Sequence, residues 1–300
     1  MTATAEDLRR ACAEEMARYG EFDGCPWLRD AFSALPREHF VPDRVWWHRP
    51  RPDGLHTLID RASAPHAWLT RVYAPGDPLI TQIDDGAVAP TDDARGALTS
   101  SISSSAVIVE LLRNLAPRPG EKTLEVGTGT GYTTALLAAR VGGENVTTIE
   151  IDGQLAAGAA VRLAELGLRP HVVTGDGELG HLADCPYDRI VATASVRRIP
   201  QAWLDQLAPR GVLVVPLDSP LGWDLLLRLE STGPGTAQGC FVGRVEFMRT
   251  RGQRMPLGYD VLGWPAVADA AHWRDLRVDV GPEGQRISLP SVPSVAGAPG

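Results

Sequence analysis

The sequence predicts an α/β fold, a Rossmann-like and mostly parallel sheet of about seven strands behind a helical and loop-rich N-terminal region. Three observations predict it. From Ala106 onward short apolar runs alternate with helical stretches, the pattern of βαβ units that encloses a parallel sheet between two layers. A glycine-rich turn, GTGTG at Gly127–Gly131, stands where a strand gives way to a helix. Acidic residues, Glu125, Glu150 and Asp176, stand at or just past the ends of successive strands.

In chain order, Leu8, Cys12, Glu15 and Met16 recur at roughly helical spacing between Ala5 and Arg18, and Trp27–Leu35 repeats the pattern after Gly20. From Val41 to Leu98 the chain is crowded with Pro, Gly, Asp and Trp without sustained periodicity, so it reads as a long, mostly irregular insertion that its tryptophans keep ordered. There follow strand Thr123–Val126, helix Thr133–Val141, strand Asn145–Ile149, helix Leu155–Leu166, strands His171–Thr174 and Asp188–Ala194, helix Pro200–Leu207 and strand Val212–Pro216. The runs WDLLLRLE and CFVGRVEFMRTR, joined by a Gly-rich connector, read as a closing antiparallel pair. The last stretch, rich in Pro, Gly, Ser and Val, reads as a frayed tail. The organisation expected is a covering region at 1–98, a ligand-binding core at 99–250 and an extension at 251–300 whose last part is disordered.

Composition narrows the partners. With 300 residues and 44% hydrophobic content the chain can bury one sizeable core. No apolar segment reaches membrane-spanning length and no signal peptide is evident, so a soluble, cytoplasmic protein with no membrane partner is expected. Cys12, Cys25, Cys185 and Cys240 form no ligand or disulfide pattern, and His39, His48, His56, His66 and the other histidines show no ligand spacing, so no metal is expected. A net charge of −8 disfavours nucleic acid.

The glycine turn carries the ligand argument. Its spacing is G-x-G-x-G, with Tyr132 where a dinucleotide fingerprint would place its third glycine. Glu125 just before it would repel a pyrophosphate but suits an ammonium group, which favours S-adenosyl-L-methionine over NAD. Glu150 can accept both hydroxyls of a ribose, and Asp176, between Gly175 and Gly177, can take an adenine amino group. The cofactor-binding candidates are therefore Glu125, Gly127, Thr128, Gly129, Gly131, Tyr132, Glu150, Ile151, Gly175, Asp176, Gly177 and Thr193. Taken singly, each acid could instead cap a helix or a turn, a reading that weighs as much as the binding one at Asp176 and less at Glu150.

In order along the chain, ALPREHFVP, SIS, LEVGTGTGY, GDGELG, PYDRIVATA and IPQAWLDQLAPRGVLVVPL resemble the protein-L-isoaspartate O-methyltransferase family over most of Asp30–Arg249. The resemblance implies a class I S-adenosylmethionine-dependent methyltransferase fold and a peptide or protein substrate containing Asp or isoAsp. It also implies that Ser103, with Ser101 and Thr99, lies beside the reacting carboxylate, although Ser104 and Ser105 replace the family's usual Gln or Ala and Pro. One of these serines could instead cap the helix that begins near Ala106. A carboxylate is already ionised at neutral pH, so its methylation needs no general base. The insertion and the continuation past Arg251 are similar to a branch of the family found with ribosomally made, post-translationally modified peptides such as lanthipeptides and graspetides. That similarity implies methylation of a precursor aspartate on the way to aspartimide or isoaspartate; the alternative is ordinary isoaspartate repair. A nucleic-acid base methyltransferase would carry Asn or Asp followed by Pro-Pro and an aromatic residue where this chain has ATASVRRIP. Asp84 and Asp85 could be offered as metal ligands, but a carboxylate pair in a turn is more often solvated or capping.

Overall fold

The computed structural model describes residues 3–266 and 270–290. It opens with helices α1 (Ala5–Arg18), α2 (Pro26–Ala34) and α3 (Arg37–Phe40). Thr4 and Asp7 close a reciprocal capping box on α1, which fixes where that helix starts. The strands β1 (Arg44–Trp47), β2 (Leu58–Asp60), β3 (Leu79–Ile83) and β4 (Leu98–Ile102) form an antiparallel sheet in the order β2-β1-β3-β4, with α4 (Pro65–Val72) between β2 and β3.

The expectation of a mostly irregular Val41–Leu98 is thus corrected. Fully buried Trp46 packs with Ile80 and Ile83, and its indole N–H donates to the Asp92 carbonyl at 2.9 Å. Strands of three to five residues are too short to display an alternation, so tertiary burial and not local pattern defines them.

The second sheet follows as α5 (Ser105–Leu115), β5 (Thr123–Val126), α6 (Tyr132–Val141), β6 (Val146–Glu150), α7 (Gly153–Glu165), β7 (His171–Thr174), β8 (Tyr187–Ala192), α8 (Gln201–Asp205) and β9 (Leu207–Leu217). An antiparallel pair, β10 (Asp224–Gly233) and β11 (Thr236–Val245), continues it, and β12 (Arg277–Gly281) and β13 (Gly284–Ser288) complete it. The order is β13-β12-β11-β10-β9-β8-β5-β6-β7, with β7 through β9 parallel. The sheet has nine strands where about seven were expected, because Arg277–Ser288 forms a hairpin and not a frayed tail. Residues 291–300 of the expected tail lie outside the described residues. The boundaries at 98/99 and 250/251 are also crossed, since β4 belongs to the small sheet and the extension adds strands to the large one.

Alternate side chains of the central strands enter opposite cores. Val191, Val212 and Val214 pack toward α1, α2, α5 and α6, whereas Leu124, Ile190, Leu213 and Val215 pack toward α8 and Trp264. Burial on both faces is why these strands read as near-continuous apolar runs. Strand order reverses between β5 and β8, and a sheet of this kind opens a crevice outside the carboxyl ends of its strands at that point.

Candidate active site

A half-open cavity lies at that switch point. Val126–Gly129, Glu150, Ile151, Asp176, Gly177 and Thr193 line one side, and Thr99–Ser103 of β4 and the turn after it line another. The loop demands glycine at Gly127: its φ is +99°, and a Cβ there would lie 2.7 Å from Thr193 Oγ1. The Thr193 hydroxyl donates to the Gly127 carbonyl at 2.5 Å, tying the β8 end to the loop.

Glu150 is 7% exposed and lines the cavity. Its Oε2 accepts the Gly129 N–H at 2.8 Å and its Oε1 the Asp152 N–H at 3.1 Å. Burial pushes its carboxyl above the ordinary value, and those two N–H groups pull it back. Asp176 caps the turn Gly177–Leu179, accepting from the Glu178 N–H at 3.0 Å, and also lines the cavity. Thr128, Gly129, Tyr132, Ile151 and Gly177, also among the cofactor-binding candidates, line the cavity.

Glu125, Gly131 and Gly175 do not line it. Glu125 is completely buried beneath the loop, where its Oε2 accepts from the hydroxyls of Thr134 at 2.5 Å and Thr148 at 2.8 Å. Thr148 in turn meets the hydroxyl of Thr128 at 2.7 Å. The ammonium contact expected of Glu125 is therefore replaced by support of the cradle from below. Gly131, at φ +95°, begins α6, and a Cβ on it would press on Ala159 at 3.3 Å, so it serves helix packing.

Burial raises the Glu125 carboxyl from 4.5 to about 7, against the two threonine hydroxyls and with Glu150 adding to the rise. Ionisation is then harder in the folded than in the unfolded chain. The group's contribution to stability declines as pH rises from about 4.5 through about 7 and is level above that, a span of about 3 kcal/mol. Glu125→Gln is expected to remove that decline; urea unfolding at pH 5, 6.5 and 8 checks it, and parallel wild-type and variant curves would contradict it.

On the acceptor side, Thr99 donates to Gln82 Oε1 at 3.2 Å and accepts from the Asp85 N–H at 2.9 Å, while the Ser101 hydroxyl meets Met248 Sδ at 3.7 Å. The Ser103 carbonyl accepts from the buried Arg37 guanidinium at 2.7 Å, which anchors the backbone of the turn after β4. Ser104 is the cap of α5, accepting the Val107 N–H at 3.4 Å, so the serine run both caps a helix and lines the cavity.

Sequence reasoning missed Gln82, Met248, Arg249, Arg251 and Arg254, which also line the cavity. Arg254 grips Asp85 with two bonds of 2.6 and 2.8 Å, and Arg251 bridges Asp85 at 3.1 Å and Asp152 at 3.2 Å. Arg254 beside it holds the Asp85 carboxyl below the usual range, with burial opposing and Arg251 adding. Asp84 meanwhile accepts the Ala97 N–H at 2.7 Å, so this carboxylate pair serves as clasp and cap. The only available signal was the basic run in EFMRTRGQRMP directly after β11.

A mixed sheet with a parallel centre and this cavity, a glycine loop without a third Rossmann glycine and a buried carboxylate at the end of the next strand define a Rossmann-like class I S-adenosylmethionine-dependent methyltransferase. The sequence profile of the protein-L-isoaspartate(D-aspartate) O-methyltransferase family matches residues 87–249. The chain belongs to that family. A Methylorubrum extorquens protein-L-isoaspartate O-methyltransferase is 39% identical over 219 residues, 73% of this chain and 78% of its own. One from Methylorubrum populi is 39% identical over 148 residues, 49% of this chain and 68% of its own. A solved protein-L-isoaspartate O-methyltransferase superposes with a TM-score of 0.61 at 19% identity, covering 94% of this chain and 87% of that one. A Plasmodium falciparum structure in complex with S-adenosyl-L-homocysteine gives a TM-score of 0.60 at 16% identity, covering 81% and 98%. Among the described residues no helix is long and apolar enough to cross a membrane.

Proposed function

We propose that this methyltransferase esterifies the α-carboxylate of L-isoaspartyl residues in proteins and peptides, the general repair reaction. The observation that carries this reading is the placement of β4 and the turn after it, whose Thr99, Ser101 and Ser103 line the cofactor cavity and can hold a substrate carboxylate there. Thr99, Ser101 and Ser103 orient the carboxylate and remain chemically unchanged. Glu150 holds the ribose, Asp176 the adenine, and the Gly127–Gly129 backbone admits the amino-acid end. S-adenosylmethionine supplies an electrophilic methyl group on a sulfonium.

The substrate oxygen forms its bond to the methyl carbon as the carbon–sulfur bond breaks. A methyl ester and S-adenosylhomocysteine result. No proton is moved in this step, since the carboxylate is already ionised, so rate comes from positioning. The ester is then attacked by the following backbone nitrogen, which loses its proton as methanol leaves, and the succinimide hydrolyses to aspartate and isoaspartate.

Precursor-peptide tailoring is the second reading, favoured by the folded insertion that Asp85 clasps to the C-terminal extension at the cavity. Against it, the 219-residue similarity to a protein bearing the repair enzyme's name is longer than the family core at 87–249, so it extends into the added segments. Mass spectrometry of an isoaspartyl peptide and an aspartate-containing precursor, each incubated with S-adenosylmethionine, decides. Methylation of the isoaspartyl peptide supports repair, and methylation of the precursor alone overturns it. Ser103→Ala is expected to lower kcat/KM by about tenfold to a hundredfold, the worth of one hydrogen bond to a charged group, with S-adenosylhomocysteine affinity unchanged by calorimetry.

A further inference from the structure

A second cluster of chemically capable side chains lies at the other end of the sheet. His171 opens β7, Thr147 stands near the start of β6, and His181 and Asp184 lie in the segment that leads into β8. These are amino ends of parallel strands, whereas the cofactor cavity occupies the carboxyl ends. Three ligand atoms converge there, all within 4.8 Å of one another: His171 Nδ1, His181 Nε2 and an Asp184 carboxylate oxygen.

Asp184 Oδ2 is the common point, 2.7 Å from His171 Nδ1 and 3.6 Å from His181 Nε2. The imidazole rings stand edge to face with centroids 5.0 Å apart. An ion with bonds of about 2.0–2.2 Å to nitrogen and oxygen in tetrahedral geometry needs ligand atoms about 3.3 Å apart, which the cluster reaches by opening its 2.7 Å edge and drawing in its longer ones through side-chain rotation. His181 Nε2 is also buried without a hydrogen-bond partner, a state that a bound cation would relieve.

The surroundings hold these atoms in place. The Thr147 hydroxyl donates to Asp184 Oδ2 at 2.9 Å, the kind of hydrogen bond that orients a ligating carboxylate. The His181 backbone is pinned from both sides, its N–H donating to Gln206 Oε1 and its carbonyl accepting from the Tyr187 hydroxyl, each at 2.8 Å. The His171 side chain is 55% exposed, which leaves an entry path and a position for water as a further ligand.

We propose that His171, His181 and Asp184 form a binding site for one divalent cation of the zinc class, which ties the edge strand β7 to the segment entering β8. Two imidazoles and one carboxylate select zinc or cobalt over magnesium or calcium, which take oxygen ligands. The sequence hid the site because its ligands sit on separate elements with no motif spacing. The expectation of no metal rested on that missing spacing.

Titration of the metal-stripped full chain with zinc in a calorimeter is the test. One equivalent is expected to bind, raising the thermal midpoint, while magnesium gives no heat. His171→Ala and Asp184→Asn are each expected to weaken binding about a hundredfold or more, and Thr147→Val, which removes only the supporting hydrogen bond, about tenfold. His66→Ala, at an exposed histidine outside the cluster, should titrate as the parent does. Retained S-adenosylhomocysteine binding shows that each variant is folded. Failure of the parent to bind zinc at micromolar concentration would overturn the proposal. So would His171→Ala and Asp184→Asn that bind as the parent does.

Discussion

Glu150→Ala is expected to lower S-adenosylmethionine affinity by two to three orders of magnitude, the largest effect of any single change at the cavity. The buried carboxylate is bonded to the N–H groups of Gly129 and Asp152 at 2.8 and 3.1 Å, so its removal frees the loop and deletes the proposed ribose contact together. Hydrogen bonds to a charged group are worth about 1.5–3 kcal/mol each, and losing about 3–4 kcal/mol in all corresponds to the stated range. Glu150→Gln keeps the shape and one acceptor oxygen and should fall between the two. Because burial raises this carboxyl, wild-type affinity should also decline as pH falls through the raised value, where the acceptor becomes protonated. Calorimetry with S-adenosylhomocysteine measures all three. Undiminished binding by Glu150→Ala would remove Glu150 from the cofactor site.

Arg37→Ala is expected to destabilise the fold by about 3–5 kcal/mol, since it empties a well-packed site and strands two carbonyls. The guanidinium is completely buried, donates to the Val72 carbonyl at 2.9 Å and to the Ser103 carbonyl at 2.7 Å, and lies over the Tyr132 ring at 5.2 Å. Its third nitrogen, Nη1, is buried without a partner, so part of its burial is unrelieved. Arg37→Met fills the volume without that charge and should recover most of the stability. It should nevertheless leave kcat depressed about tenfold, because the Ser103 turn has lost its anchor. Urea unfolding and steady-state kinetics separate the two effects. A normal kcat in Arg37→Met would show that Arg37 supports the fold alone.

What could be read in advance depended on burial geometry. Strand β5 was legible to the residue because a buried parallel strand is a short apolar run bounded by turn residues, and the half-buried edge strand β7 because its Val172–Val173 pair is bracketed by Pro170 and Gly175. The small sheet was not, since the environment that makes Arg44–Trp47 a strand is supplied by Ile80, Ile83 and the Asp92 carbonyl, all distant in sequence. In β12 the alternation of exposed and buried positions is present, but proline and glycine around it masked the signal. At the site, residue type located Glu150 and Asp176 at strand ends, yet type alone does not tell a carboxylate facing a cavity from one sealed beneath it, which is how Glu125 was misplaced. Arg251 and Arg254 escaped because they reach the cavity from more than a hundred residues beyond the glycine loop, through a contact with Asp85 that no local pattern encodes.

That contact responds to salt. Asp85 and its two arginines are each between 30% and 40% exposed, so the clasp between insertion and extension stands in partly screened solvent. Raising ionic strength from 0.1 to 1 M shortens the screening length from about 10 to about 3 Å and weakens such pairs far more than the buried bonds of Glu150. Salt therefore acts selectively: it loosens the clasp between insertion and extension while leaving the buried bonds of the glycine-loop cradle intact.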